Sequence, residues 1–297
     1  MAKAASRRAS ANGDYESLVR EHYATLSPAH RRVADYLLAD GRRAALEPIA
    51  TVAKNLRTSE STVVRFAQTL GYKGYPELRD QLRERFLATA TSLDRLAASG
   101  ADAKARGATL ERVLAEDADS IMRTLAQIPP ASFDAVVDAV VSARRTYVVG
   151  FRGSAGIALV LGMGLRIFLP ETRVVAVNVG DTPEELLSLR KHDVLVVISY
   201  LRYAGQTLEI LRFAHEAGAK TVAITDSPAS PVARLADHAL ITRPTSPRTM
   251  ASYAPAASIA SALTEAVAAR RGAAAGRSLR LAESLWDRFR VHARESR

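Results

Sequence analysis

Two short segments carry the residue types that hold anions. The first, Gly150-Phe151-Arg152-Gly153-Ser154-Ala155-Gly156, ends an apolar run and leads into a helical one. Glycines there let a ligand approach the backbone, and N–H groups at a helix start, joined by the Ser154 hydroxyl, can cradle an anion. The second segment, Ser199 to Thr207, repeats the plan with a strand end, a loop holding Arg202, Gly205 and Gln206, and a helix start. Its hydroxyls at Ser199 and Thr207 can add donors to the same pocket. Ser, Thr and Gly in such places also cap helices without binding anything. Two loops of this kind at neighbouring strand ends favour a ligand pocket. The glycines are spaced GxxGxxG rather than GxGxxG, and the second strand ends in Asn178 without the acid a ribose would need. Both features argue against a dinucleotide.

A third segment, Thr58 to Leu82, points to a different chemistry, the reading of base edges in DNA. Ser59 is a favoured N-cap type, and Glu60 in the first turn suits the helix dipole. Val63, Phe66, Ala67 and Leu70 then fall at the i, i+3, i+4, i+7 spacing of a buried stripe. Glu60, Ser61, Thr62 and Arg65 stay off that stripe, free to face a partner. Gly71 is placed to stop the helix, Lys73 to Tyr75 form a turn, and Pro76 opens the next helix, where its missing N–H costs nothing. Upstream, Pro48 to Asn55 predicts a short helix, joined to Ser59 by the turn Leu56-Arg57-Thr58. Short helix, tight turn and polar-faced helix make a helix-turn-helix. A three-helix packing module with a solvated polar face has the same periodicity.

Charge separates those two readings. Residues 1–100 hold 16 Lys+Arg against 11 Asp+Glu, residues 101–269 hold 17 of each, and residues 270–297 hold eight against three. A basic excess beside a polar-faced helix suits phosphate neutralisation, which supplies affinity without sequence information. Ser59, Glu60, Ser61, Thr62, Arg65 and Lys73 are therefore the candidate DNA contacts, with Arg65 the natural partner of a guanine or a phosphate. Double-stranded DNA is the expected macromolecular partner.

Other chemistries find little support. The 297 residues include no cysteine, which removes disulfides, thiolate catalysis and Cys-based metal sites. The six histidines lack HxxxH or HExxH spacing, so neither a metal nor a cofactor is expected. An isomerase working in the same pocket would need an acid/base pair, and Glu184, Glu185, Glu209 and His215 are the groups available. Each is more simply a helix-start acid or part of a solvated face. Nothing resembles a signal peptide, no apolar run approaches the ~20 residues of a membrane helix, and the expected location is cytoplasmic.

These segments need a scaffold, and the pattern changes along the chain. Residues 1–13 read as a disordered basic arm, in which Lys3, Arg7 and Arg8 are solvated. Residues 14–96 read as the DNA-binding domain, and the small, polar stretch 97–108 as a linker. Residues 109–297 form a second domain. It opens with helices at Thr109–Ala126 and Ser132–Ala143 and then alternates strands with helices. The predicted strands are Thr146–Gly150, Arg173–Asn178, Val194–Ser199, Thr221–Thr225 and His238–Thr242, the signature of a parallel sheet covered on both faces. Helices Met250–Arg271 and Ser278–Ala293 close the chain.

Leu26-Ser27-Pro28 through Leu82 resembles the N-terminal domain of RpiR-type bacterial transcriptional regulators, with STVVRFAQTLGYKGYPELR the closest stretch. The match departs at Arg57, where that family usually has glycine. Residues from roughly 120 to 265 resemble a sugar isomerase (SIS) domain, the usual C-terminal partner of this helix-turn-helix. The resemblance implies an all-α DNA-binding domain followed by an α/β SIS domain with a parallel five-stranded sheet. It implies a homo-oligomer, at least a dimer, that regulates transcription in carbohydrate metabolism in response to a sugar phosphate. The Ala-rich helix Ser252–Ala269 is the candidate interface. By position it implies Gly150, Ser154, Gly205 and Thr207 as ligand residues, beside Arg152, Gly153, Ser199, Arg202 and Gln206. Arg152 stands for the second glycine of the family's first loop, Ala204 for the serine of its SGxT, and Leu201-Arg202-Tyr203 lengthen the second loop. An aldose-ketose isomerase, or an SIS domain serving only as a dimerisation platform, is the alternative.

Overall fold

The computed structural model describes residues 15–89, 109–176, 182–242 and 252–292, with isolated positions between 91 and 96, and the chain divides into two compact units. The expected basic arm, the linker and Asn178 lie outside the described residues.

The first unit is all helical: α1 (Tyr15–His22), α2 (Pro28–Leu46), α3 (Ile49–Asn55), α4 (Glu60–Thr69) and α5 (Tyr75–Thr89). Ser27 caps α2, accepting from the His30 N–H, and Pro28 takes the first helical position. Within α2 the backbone turns non-helical at Asp40, whose carboxylate accepts from the Arg43 N–H and so restarts the helix. The stripe read from the sequence is the core: Val63, Phe66, Ala67 and Leu70 pack with Val33, Leu37, Leu78 and Leu82. Glu47 accepts hydrogen bonds from Tyr36, Arg43 and Asn55, tying the end of α2 to α3. The buried Tyr75 hydroxyl donates to the Ala44 carbonyl, and burial pushes its pKa up to about 12.

Helices α3 and α4 end in the same way. The N–H of Thr58 reaches the Ala53 carbonyl and that of Tyr72 reaches Ala67, each across a residue with positive φ. In α4 that residue is Gly71, at φ +93°, whereas in α3 it is Arg57, at +50°. A left-handed backbone costs a non-glycine residue about 1–2 kcal/mol, partly offset because glycine is looser in the unfolded chain. Arg57→Gly is expected to raise the stability of this unit by about 0.5–1 kcal/mol, measured as the midpoint of urea unfolding.

The second unit opens with α6 (Thr109–Gln127) and α7 (Pro130–Ser142) and continues β1 (Thr146–Gly150), α8 (Ser154–Phe168), β2 (Thr172–Ala176), α9 (Thr182–Leu186), β3 (Val194–Ile198) and α10 (Gly205–Glu216). Then come β4 (Lys220–Thr225), α11 (Pro231–Leu235), β5 (His238–Ile241), α12 (Ala254–Arg271) and α13 (Ala273–Phe289). The five strands are parallel in the order β2-β1-β3-β4-β5. Val148, Val196 and Val222 face α7, α8 and α12 on one side, while Tyr147, Val149, Leu195 and Val197 face α9 and α10 on the other. Burial on both faces explains why the strands are apolar runs rather than alternating ones. Among the described residues no helix is long and apolar enough to cross a membrane.

In α12, the helix expected to carry an interface, Ala256, Ile259, Ala260, Leu263 and Val267 lie in the core of their own unit, and the exposed residues are small or polar. Large exposed apolar side chains lie on α6 (Leu110, Leu114), on α8 (Val160, Met163) and on α13 (Leu281, Phe289).

Candidate functional site

On the first unit, α4 presents a polar face whose start is organised by Ser59. Its side chain accepts from the Thr62 N–H and lies 2.8 Å from the hydroxyls of both Ser61 and Thr62. Ser59, Glu60, Ser61 and Arg65 are exposed and Thr62 is half-buried. No hydrogen bond or ion pair among the described residues holds the Arg65 guanidinium. Ser61, Arg65, Gln68 and Thr69 fall at i, i+4, i+7 and i+8, one exposed side of the helix, so Gln68 and Thr69 extend the face beyond the residues named from the sequence. Lys73 lies in the turn after α4, at the opposite end from Ser59, where its N–H bonds the Glu77 carboxylate. Lys54 and Arg57 are exposed just before α4. A helix with short polar groups at its N-terminus and cations beside it has what major-groove binding needs.

On the second unit, the strand order places a topological switch point between β1 and β3, and ligands bind outside the carboxyl ends of strands at such points. Gly150 and Ile198 are register partners, so both candidate loops leave the sheet side by side. Gly150 is required there, because a Cβ would come within 2.5 Å of the Ser154 carbonyl oxygen. Ser154 opens α8 and is buried, behind Gly153, an N-cap without a side chain. Arg152, where the resemblance expects glycine, takes the glycine-like φ of +56° and is exposed.

The second loop brings Ser199 and Thr207, both buried, to the neighbouring strand end. Helix α10 starts behind Ala204, which offers no capping oxygen, and the Thr207 hydroxyl in its first turn is buried without a hydrogen-bond partner. A buried hydroxyl left unpaired costs about 1–3 kcal/mol, so such a group calls for a partner. Gly205 and Gln206 are exposed, and nothing lies within 4 Å of a Cβ built on Gly205, so space does not demand glycine there. Arg202 is exposed with φ +70°.

Residues outside both motifs complete the geometry. Asp226, at the end of β4, accepts from the Leu201 N–H at 3.0 Å and from the Tyr203 hydroxyl at 2.8 Å, pinning the inserted residues of the second loop. Burial, and then the Asp226 carboxylate, push the Tyr203 pKa upward. Burial pushes that of Tyr200 upward as well. Both phenols therefore stay protonated, Tyr203 donating to Asp226 and Tyr200 accepting from Thr242. Tyr253, just before α12, lies against Gly153 and edge-on to Tyr200. An acid ending a strand is the one signal that marks Asp226 in the sequence. Tyr253 has no such signal, since only the fold brings it to the first loop.

Of the groups considered for proton transfer, Glu209 is exposed and paired with Arg212, His215 is exposed in the last turn of α10, and in α9 Glu184 is exposed and Glu185 half-buried. Among the described residues no group of three or more His, Cys, Asp or Glu side chains is placed to hold a metal ion.

Known proteins share both units. The model of the helix-turn-helix domain of the rpiR family matches residues 13–89, and that of the SIS domain matches residues 139–269. The HTH-type transcriptional regulator HexR of Pseudomonas aeruginosa is 28% identical over 213 residues, covering 70% of this chain and 72% of HexR. The sugar isomerase domain of an RpiR transcription factor from Sphaerobacter thermophilus superposes with a TM-score of 0.57 at 30% identity, covering 60% of this chain and 99% of that one. The Vibrio vulnificus NanR protein, solved in complex with ManNAc-6P, has the same fold with a TM-score of 0.54 at 21% identity, covering 94% of this chain and 99% of that one. With a helix-turn-helix whose polar face is open and an SIS sheet whose two loops meet at the switch point, the chain belongs to the RpiR family of DNA-binding transcriptional regulators.

Proposed function

We propose that this regulator senses a phosphorylated sugar at the β1/β3 switch point and passes that signal to DNA held by α4. The observation that carries the sensing half is the buried, partnerless Thr207 hydroxyl at the uncapped start of α10, beside the start of α8. Two helix N-termini and several hydroxyls suit a phosphomonoester. Arg152 and Arg202 supply charge in place of the serine replaced by Ala204. The NanR relative, solved with ManNAc-6P, supports the same ligand class.

The DNA contacts are Ser59, Glu60, Ser61, Thr62 and Arg65, with Lys73 a backbone contact at the far end of α4. Residues 14–96 act as the DNA-binding domain, 97–108 as linker and 109–297 as the sensor, in the cytoplasm. Two copies pair through their sensor units, burying the apolar residues of α6 and α8 exposed in one chain. The pair then presents two copies of α4 to an inexact palindrome. An effector that prefers one arrangement by about 1–3 kcal/mol changes operator affinity roughly 5- to 150-fold. The protein is not an enzyme on this reading, in keeping with relatives that are named as transcriptional regulators.

The test is fluorescence anisotropy on DNA from upstream of the protein's own gene, at fixed salt with competitor DNA, with and without a panel of sugar phosphates and free sugars. Specific binding shifted by a phosphorylated compound is the expected result. Specific binding indifferent to the whole panel overturns the sensing half, and absence of specific binding overturns the DNA half. In the same assay Arg65→Ala is expected to weaken specific binding by about 1–3 kcal/mol, roughly 5- to 150-fold, and nonspecific binding much less. Equal losses at both assign Arg65 to phosphates.

A further inference from the structure

We propose that Tyr253 is a third arm of the anion site, donating its hydroxyl to a phosphomonoester at the start of α8. This rests on the phosphate-binding reading of the β1/β3 switch point.

The argument begins with Gly153. Its φ is −63°, which any residue adopts, so backbone freedom does not explain the glycine. Space does: a Cβ at this position would meet the Tyr253 hydroxyl and come within 2.7 Å of its Cζ. The phenol is thus seated on the N-cap of α8, next to Ser154. Backbone and ring are each held. The Tyr253 carbonyl accepts the Ala257 N–H in the first turn of α12, and the ring meets Tyr200 edge-on, with centroids 5.4 Å apart. Tyr200 is itself fixed by the Thr242 hydroxyl, 3.1 Å from its own. Tyr200 belongs to the second loop and Gly153 to the first, so Tyr253 touches both.

The hydroxyl itself has no hydrogen-bond partner among the described residues. The first loop also needs side-chain donors, because its leading N–H groups are partly engaged: Ser154 N–H closes on the Phe151 carbonyl at 3.1 Å and Ala155 N–H on Arg152 at 3.2 Å. A hydroxyl donor beside a helix N-terminus suits an anionic oxygen. A second partnerless hydroxyl, that of the buried Thr207, stands in the first turn of the helix that follows the neighbouring strand β3. Asp226, the nearby carboxylate that would repel an anion, is occupied by Leu201 N–H and Tyr203.

The test is calorimetric titration of the full-length protein with inorganic phosphate and with glucose 6-phosphate, and with glucose as the uncharged control. The variants are Tyr253→Phe, which removes only the hydroxyl, and Ser154→Ala. Loss of a hydrogen bond to a charged group predicts roughly a ten- to hundredfold drop in affinity for both phosphates in Tyr253→Phe, with no change for glucose. Unliganded thermal melting checks the fold. A second measurement needs no variant: nitration of Tyr253 by tetranitromethane in the wild-type protein, mapped by mass spectrometry, should slow when glucose 6-phosphate is bound. Wild-type affinity in Tyr253→Phe with loss in Ser154→Ala overturns the role of Tyr253 and leaves the phosphate site standing. Tighter binding in Tyr253→Phe, or nitration unaffected by ligand, also overturns it. Failure of the wild-type protein to bind either phosphate overturns this inference and the sensing reading together.

Discussion

Phe66→Ala is expected to unfold the DNA-binding unit near ambient temperature. Phe66 is fully buried at the centre of that unit, on the inner side of α4, with His30 edge-on at 5.8 Å. Truncating a core phenylalanine costs about 3–5 kcal/mol, from lost burial and the cavity left behind. A domain this small has roughly 5–15 kcal/mol in all, and each kcal/mol moves its melting midpoint by about 4–8 °C. A fall of more than about 12 °C should therefore appear in the melting transition of this unit followed by circular dichroism. Specific DNA binding should vanish with it, although Phe66 does not lie on the polar face. A shift of only a few degrees would show that α4 is held by contacts other than its apolar stripe.

Gly150→Ala should damage the proposed ligand site from beneath. The added methyl would approach the Ser154 carbonyl oxygen at 2.5 Å and its carbon at 2.9 Å, with the Ala158 side chain at 3.0 Å. The two nearest are backbone atoms in the first turn of α8, and backbone cannot rotate away as a side chain can. Overpacking of this kind costs about 1–3 kcal/mol, and the readiest relief is to lift the start of α8 off the sheet. Displacing the cradle by that energy corresponds to roughly a 5- to 150-fold loss in affinity for glucose 6-phosphate, measured by calorimetry. The stability loss should be read separately from urea denaturation. Unchanged affinity together with lost stability would place the ligand away from the first loop.

The helix-turn-helix was legible because local rules agree there. An N-cap serine, a stripe at helical spacing and a glycine after the last turn each restrict the backbone over a few residues, and Ser59, Phe66 and Gly71 take those roles. The strands were legible to within a residue or two, since apolar runs of that length between helices have few other uses. Boundaries shifted where hydrogen bonding rather than composition sets the end. Pro76 opens its helix from the second position, behind Tyr75, and α13 begins at Ala273 rather than Ser278. How α12 packs on its own domain was not legible, because Gly164 of α8 lets Thr264 of α12 come close only once the two helices are laid together.

The two-unit plan, the polar face of α4 and the two loops with glycines and hydroxyls are each written in residues close together along the chain, so local rules suffice to read them. Which of those groups meet is a property of the folded molecule. Parallel pairing of β1 with β3 set the two loops side by side, strand order put Asp226 under the second loop, and the turn into α12 brought Tyr253 onto Gly153. Contacts between residues a hundred positions apart depend on sheet order and helix packing, which periodicity does not encode. The same holds for some of the strain. The glycine expected at 57 pointed to a left-handed turn there, which Arg57 adopts, whereas the same backbone at Arg152 and Arg202 was visible only once the turns around them had closed.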